Sequence, residues 1–297
     1  MRHRIARYRI HGAMVRSSLS LPALRCSDDA GPCDITIVEG QVEHPTGDEI
    51  VAGSADDLRF RDPLGYFRAE RGQRLTIEFD PAMPAEAVPL LVGRALGYIF
   101  LQRGHLVLHG SGALLDGSAM LFCGDPGRGK STLTAACVAS GQQLICDDVA
   151  VIDQTNPLRP QLRAGLPVIR QWPDALRATG GDPAVVEPLV PGHDKRLRSV
   201  DDQQFCDDTS PLAAILLLEA GEPRCEQLPT AQAAIELVRH SYTRHTLRAA
   251  IGQTRHLDLV ARLAEAVGVF RLFVPRNLER LAEAVTTVRQ IAATLRD

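Results

Sequence analysis

Gly124-Asp125-Pro126-Gly127-Arg128-Gly129-Lys130-Ser131 satisfies G-x-x-x-x-G-K-[ST] at every position, and Thr132 follows it. A loop of this kind turns backbone N–H groups onto a phosphate, with the positive end of the next helix behind them. In that reading Lys130 reaches the β- and γ-oxygens and the Ser131 hydroxyl ligates Mg2+. Independent placement of residues predicts roughly 10⁻³ such matches per chain. The spacing therefore assigns 124–132 to nucleotide binding, with ATP and Mg2+ as the expected ligands.

Asp147-Asp148 is one of five adjacent aspartate pairs; the others stand at 28–29, 56–57, 201–202 and 207–208. Only the 147–148 pair ends an apolar strand that directly follows the phosphate-loop helix. A parallel neighbouring strand would carry its carboxyl end to the phosphates, where open sheets bind ligands. One carboxylate would then hold Mg2+ and the other accept a proton from an attacking hydroxyl. His109 lies on the hairpin strand whose partner leads straight into the loop, which places it with the same group. Among 33 lysines and arginines only Lys130 and Lys195 are lysine. A lysine that survives such a bias marks a place for a compact ammonium rather than a planar fork. Lys195 and Arg196, after Gly192, are expected on a mobile loop that closes over nucleotide or acceptor and brings cations to developing charge. A solvated basic turn is the alternative.

Leu108-His109-Gly110-Ser111, the loop at 124–131 and Asp147-Asp148 together resemble the catalytic core of HPr kinase/phosphorylase. The wider group includes related kinases that phosphorylate a serine of lasso-peptide precursors, and the order of β-rich start, "LH" strand, "KR" loop and helical end is similar to theirs. The match is strong over 105–153 and weaker beyond. The resemblance implies an α/β fold with a phosphoenolpyruvate carboxykinase-like P-loop core and a mixed sheet. It implies Asp147 as base toward the acceptor hydroxyl, Asp148 with Ser131 on Mg2+, and His109 near the γ-phosphate and Asp147, with the two aspartate roles exchangeable. An E-x-R-G-x-G signature, tied in the bifunctional enzymes to phosphocarrier recognition and the reverse reaction, is not present. The implied activity is ATP-dependent transfer to a serine or threonine hydroxyl of a peptide or protein, such as the C-terminal serine of a lasso-peptide precursor. A small-molecule kinase acting on free serine or a sugar is one alternative. A nucleotide-binding regulatory module without transfer is another, and the full set of loop lysine, loop serine, aspartates and histidine weighs against it.

Strands are expected at 5–10, 34–38 and 75–79, with turns at Gly31-Pro32 and His44-Pro45-Thr46-Gly47. They predict a small β-rich N-terminal region over 1–80, separated by Pro81 and Pro84 from a kinase-like domain over 81–297. A helix at 89–102 precedes strands at 106–109 and 113–115, an Asp116-Gly117 hairpin turn and a returning strand at 118–123. A helix at 131–139 stops at Gly141, and 143–146 is a strand continued by the apolar run 149–152. The stretch 153–210 reads as loop-rich. A buried strand at 213–219, helices at 230–242, 256–267 and 277–295, with Asn277 as N-cap, and a strand at 269–274 complete the chain. There is no internal repeat.

Hydrophobic residues make up 45% of the 297 and charged residues 23%, the balance of a folded globular chain. A net charge of −3 excludes charge-driven nucleic-acid binding as the main activity. The basic start at Arg2, His3, Arg4, Arg7 and Arg9 is not followed by a signal-peptide apolar run, and the most apolar window, 88–101, contains Arg94 and is too short for a bilayer. Seven cysteines without a C-x-x-C pair signal neither zinc nor a disulfide framework and suit a reducing compartment. The expectation is a cytoplasmic protein with no membrane or nucleic-acid partner; a homo-oligomer is compatible with it.

Overall fold

The computed structural model describes all residues except 1–4, 22–23, 25, 47–50, 63–64, 81–87, 187, 191–192, 243–251 and 296–297. Arg2, His3, Arg4, Gly47, Pro81, Pro84 and Gly192, used in the sequence reading, lie outside the described residues. The chain is mixed α/β, and its described residues form two seven-stranded mixed sheets, a three-stranded sheet and six helices.

The first sheet takes β1 (Ala6–Ile10), β2 (Ala13–Ser17), β3 (Ile35–Glu39), β4 (Val51–Ser54), β5 (Asp57–Asp62), β6 (Gly65–Glu70) and β7 (Arg74–Phe79) in the order β1-β2-β3-β7-β6-β5-β4. Its strands alternate buried and open positions, as in Ile35, Ile37, Phe67, Leu75 and Ile77, so one face is apolar and must be covered. Helix α1 (Val88–Gln102) covers it with Leu96, Ile99 and Phe100. The same core continues into Val107, Val149 and Val151 of the second sheet.

The second sheet is built from β8 (Leu106–Leu115), β9 (Ser118–Cys123), β10 (Gln143–Asp153), β11 (Gln161–Leu162), β15 (Ser210–Ala220), β16 (Arg224–Gln227) and β17 (Gly268–Val274), in the order β11-β10-β8-β9-β15-β17-β16. Strand β9 is buried throughout, because both faces of the sheet are covered. Ala119, Leu121 and Cys123 face α4 (Thr230–Arg239) and α5 (Gln253–Ala266); Met120 and Phe122 face α2 (Lys130–Ala139) and α6 (Leu281–Thr294). The Asp116-Gly117 turn has positive φ at both residues, 49° and 91°, as a two-residue hairpin demands. Gly141, at φ 89°, ends α2, and Asn277 Oδ1 accepts the Glu279 N–H at 2.9 Å to start a single 3-10 turn, Leu278–Arg280, ahead of α6.

Three expectations are corrected. The aspartate strand is not a parallel neighbour of β9 and does not end at the pair. Strand β10 is antiparallel to β8, which stands between it and β9, and Asp147-Asp148 sits at its middle. The tight β8–β9 hairpin fills one edge of β8 and β10 takes the other; the parallel neighbour of β9 is β15. Second, the loop-rich stretch holds a third sheet of β12 (Val168–Gln171), β13 (Pro188–Val190) and β14 (His193–Ser199), plus helix α3 (Pro173–Ala178). Lys195 and Arg196 thus lie on a strand rather than a loop. Third, α4 stops at Arg239, and 240–242 lie beside the part of β8 that β9 leaves uncovered, with His109 N donating to His240 O at 2.8 Å and Tyr242 N to Val107 O at 2.9 Å. Among the described residues no helix is long and apolar enough to cross a membrane.

Candidate active site

Loop 124–129 leaves β9 and enters α2, and its glycines hold backbone that side chains resist: φ is 81° at Gly127 and 87° at Gly129. A Cβ at either would meet nothing within 4 Å, so the space beside the loop at these positions is open. No side chain caps α2. Its first helical bond is Leu133 N to Gly129 O, which leaves the amides before it free of intrahelical partners and available to an anion. Lys130 is buried, and its ammonium donates to Gly124 O at 2.7 Å and Asp125 O at 3.3 Å. Burial lowers its pKa, against the opposing pull of nearby Cys123, Asp147 and Asp148.

Ser131 Oγ donates to Asp147 Oδ1 at 2.7 Å, and the other oxygen, Oδ2, accepts the Arg170 backbone N–H at 2.8 Å. Asp148 makes a different set of contacts. Its Oδ1 lies 3.1 Å from His109 Nδ1 and is ion-paired with Arg170 Nη2. His109 Nδ1 is also 3.2 Å from the Asp148 carbonyl oxygen. Burial alone would raise the Asp148 pKa, but the Arg170 guanidinium and the His109 hydrogen bond outweigh it and hold the carboxyl far below the usual range. Successive residues of a regular strand point to opposite faces, yet both carboxylates line one cavity. The distortion that accompanies this is φ 75° at Asp148, a left-handed conformation inside a strand, next to a register shift between Leu144 and Cys146.

That cavity, about 140 Å³, is lined by the loop, Ser131, Thr132, His109, Asp147, Asp148, Arg170, Trp172 and both lysines of the chain. Lys195 stands over the Trp172 ring, 5.2 Å from its centroid, and burial together with the Arg170 charge lowers its pKa. The structure thus brings together Lys130, Ser131, Thr132, His109, Asp147, Asp148 and Lys195, with Pro126, Gly127 and Gly129. Gly124 and Asp125 contribute the carbonyls that hold Lys130, and Arg128 faces the other side of the loop with Glu219, 3.5 Å away. Arg196 does not line the cavity; strand alternation turns it away from Lys195.

Arg170 is the main residue that the sequence reading missed. It follows the apolar pair Val168-Ile169, and an arginine that closes a short apolar run is the signal that could have found it. Trp172, the sole tryptophan and 45% exposed, is the second. The donor set suits Mg2+: a serine hydroxyl and a carboxylate are hard oxygen ligands, and Mg2+ takes one or two carboxylates with phosphate oxygens and water for the rest. Among the described residues no three His, Cys, Asp or Glu side chains make a closed metal cluster.

No family model matches the chain. No curated protein matches it either. Among solved structures it is similar to the HPr(Ser) kinase/phosphatase from Coxiella burnetii, at 15% sequence identity and a TM-score of 0.38, over 64% of this chain and 99% of that one. A likeness of that size says nothing about what the side chains do.

Proposed function

We propose that this chain is an ATP-dependent phosphotransferase that moves the γ-phosphoryl group to a serine or threonine hydroxyl of a peptide or protein. The observation that carries the reading is the single cavity shared by the glycine loop, Lys130, Ser131, both aspartates and His109. A nucleotide-binding module without transfer has no use for a second carboxylate held by a histidine beside the phosphate site.

Lys130 would exchange the Gly124 and Asp125 carbonyls for β- and γ-oxygens. Ser131 and Asp147, already hydrogen-bonded to each other, would hold Mg2+, which neutralises charge on the transferring group. Their contact supports Asp147 as the metal ligand and exchanges the roles implied by the resemblance. Asp148, fixed by His109, would then face the acceptor and take the hydroxyl proton as the oxygen bonds to the γ-phosphorus and the bond to the β-bridging oxygen breaks. Arg170 and Lys195 would place cations against the charge that develops.

Mass spectrometry of serine-containing peptides, including peptides ending in serine, after incubation with the protein and Mg-ATP tests the proposal. Addition of one phosphoryl group is expected. Phosphorylation of free serine or a sugar with every peptide unmodified would move the acceptor to a small molecule, and absence of any transfer would remove the kinase reading.

A further inference from the structure

The phosphate chamber is too small to hold a whole nucleotide. At about 140 Å³ it falls below the roughly 300–1,000 Å³ of ordinary ligand sites. A donor gripped by the loop must extend into adjoining space, and two neighbouring cavities do not serve. The pocket behind the aspartates, against His11, has about 20 Å³. The groove between α2, α3 and α6 has about 620 Å³ but touches no loop residue.

A third cavity, about 450 Å³, shares Pro126, Gly127, Gly129, Thr132 and Trp172 with the phosphate chamber. It lies where the carboxyl ends of three parallel strands converge. Strand β9 delivers the loop, β15 ends in Glu219-Ala220, and β17 is followed by Pro275-Arg276-Asn277; β15 pairs in parallel with both others. Open sheets bind ligands at that end. Glu219, paired with Arg128 at 3.5 Å, and Asp174 line the cavity together with Arg276, and carboxylate oxygens accept hydrogen bonds from hydroxyl and amino groups. The Trp172 ring stands at the junction, partly exposed, with Lys195 over it.

Resting on the nucleotide reading of the loop, we infer that the nucleoside half of the donor occupies this second chamber, with its base against Trp172 and its ribose hydroxyls toward Glu219. Trp172 and Glu219 are then the residues that distinguish a nucleotide from a bare polyphosphate.

Calorimetric titration of the full chain with Mg-ADP and with magnesium tripolyphosphate tests this. Wild type is expected to bind Mg-ADP more tightly than tripolyphosphate. Trp172→Ala should weaken Mg-ADP about ten-fold or more, the scale of losing a base–aromatic stack, and leave tripolyphosphate within about two-fold. Trp172→Phe should restore most of the affinity, and Glu219→Gln should weaken Mg-ADP alone. Unchanged Mg-ADP binding in Trp172→Ala and Glu219→Gln, or equal losses for both ligands, would overturn the assignment. So would a wild type that binds tripolyphosphate as tightly as Mg-ADP, with the loop reading left standing. Binding of neither ligand by wild type would overturn the loop reading and the inference together.

Discussion

Ser131 on α2 and Asp147 on β10 are joined by a 2.7 Å hydrogen bond from hydroxyl to carboxylate, while Asp148, the next residue, is held by His109 instead. The two aspartates are therefore separable by experiment. Asp147→Asn should raise the Mg2+ concentration needed for half-maximal rate. Asp148→Asn should leave nucleotide affinity within a few-fold and cut turnover by roughly 10²–10⁴, the range for losing a general base. Steady-state rates over a Mg2+ series distinguish them. The reverse pattern would return the base to Asp147, and two neutral variants would make the pair structural.

Lys130→Ala should abolish transfer and weaken nucleotide binding, since Lys195 reaches the same chamber from another sheet and cannot follow the loop. Calorimetry with Mg-ADP and a transfer assay report the two effects. Transfer at the wild-type rate would take the loop out of the reaction.

Arg170→Gln leaves two buried carboxylates without their cation, a change that costs about 3–5 kcal/mol when a buried pair loses one partner. The Asp148 pKa is depressed in the folded chain, so its contribution is present above the unfolded carboxylate value and is lost as pH falls through the folded one. In the variant the largest charge opposing burial is gone, leaving His109 and Arg94, and the carboxyl protonates at a higher pH than in wild type. The stability gap between wild type and Arg170→Gln should thus be wider at pH 7 than at pH 4, and should close only as pH falls through the depressed folded value. Denaturant titrations at both pH values check it; an equal gap at both would mean that Arg170 only packs.

Burial pushes the pKa of His11 down to about 3 and that of His105 to about 4. Both are neutral in the fold and take protons when unfolded, so stability falls as pH drops from the ordinary histidine value toward these numbers. His11 alone would account for a loss on the order of 2 kcal/mol between pH 6.5 and pH 5. His11→Asn keeps a residue that tolerates the φ of 48° found there and should flatten the pH dependence, as read by urea unfolding. A curve of unchanged slope would contradict the assignment.

Lys195→Ala should lower kcat more than it raises the KM for ATP, the mark of a contact made in the transition state. Lys195→Arg should not restore it, because a fork replaces a point charge. Wild-type kinetics in both would leave Lys195 as a strand residue beside Trp172.

The glycine loop, the hairpin before it and His109 were legible because each is local: a spacing, a two-residue turn, an adjacent strand. The aspartates were legible as members of one cluster with the loop, but not in their geometry. Nothing near residue 147 records that β8 would stand between β10 and β9, since that is decided by pairing between strands distant in sequence. Lys195 was singled out by composition and misread as a loop, because His193-Asp194-Lys195-Arg196-Leu197-Arg198-Ser199 has no apolar alternation to announce β14. Arg170 and Trp172 went unnoticed for a related reason. They reach the site through a third sheet whose short strands make sense only once assembled.

Lys130 rests on two carbonyls of its own loop, and this bears on how a spent nucleotide departs. The ammonium has traded water for internal acceptors. If the loop binds nucleotide as proposed, an arriving phosphate would displace protein oxygens rather than solvent, and a departing diphosphate would be replaced by them. Product release would then be coupled to a contact that the free protein already makes, so that no desolvated cation need stand alone.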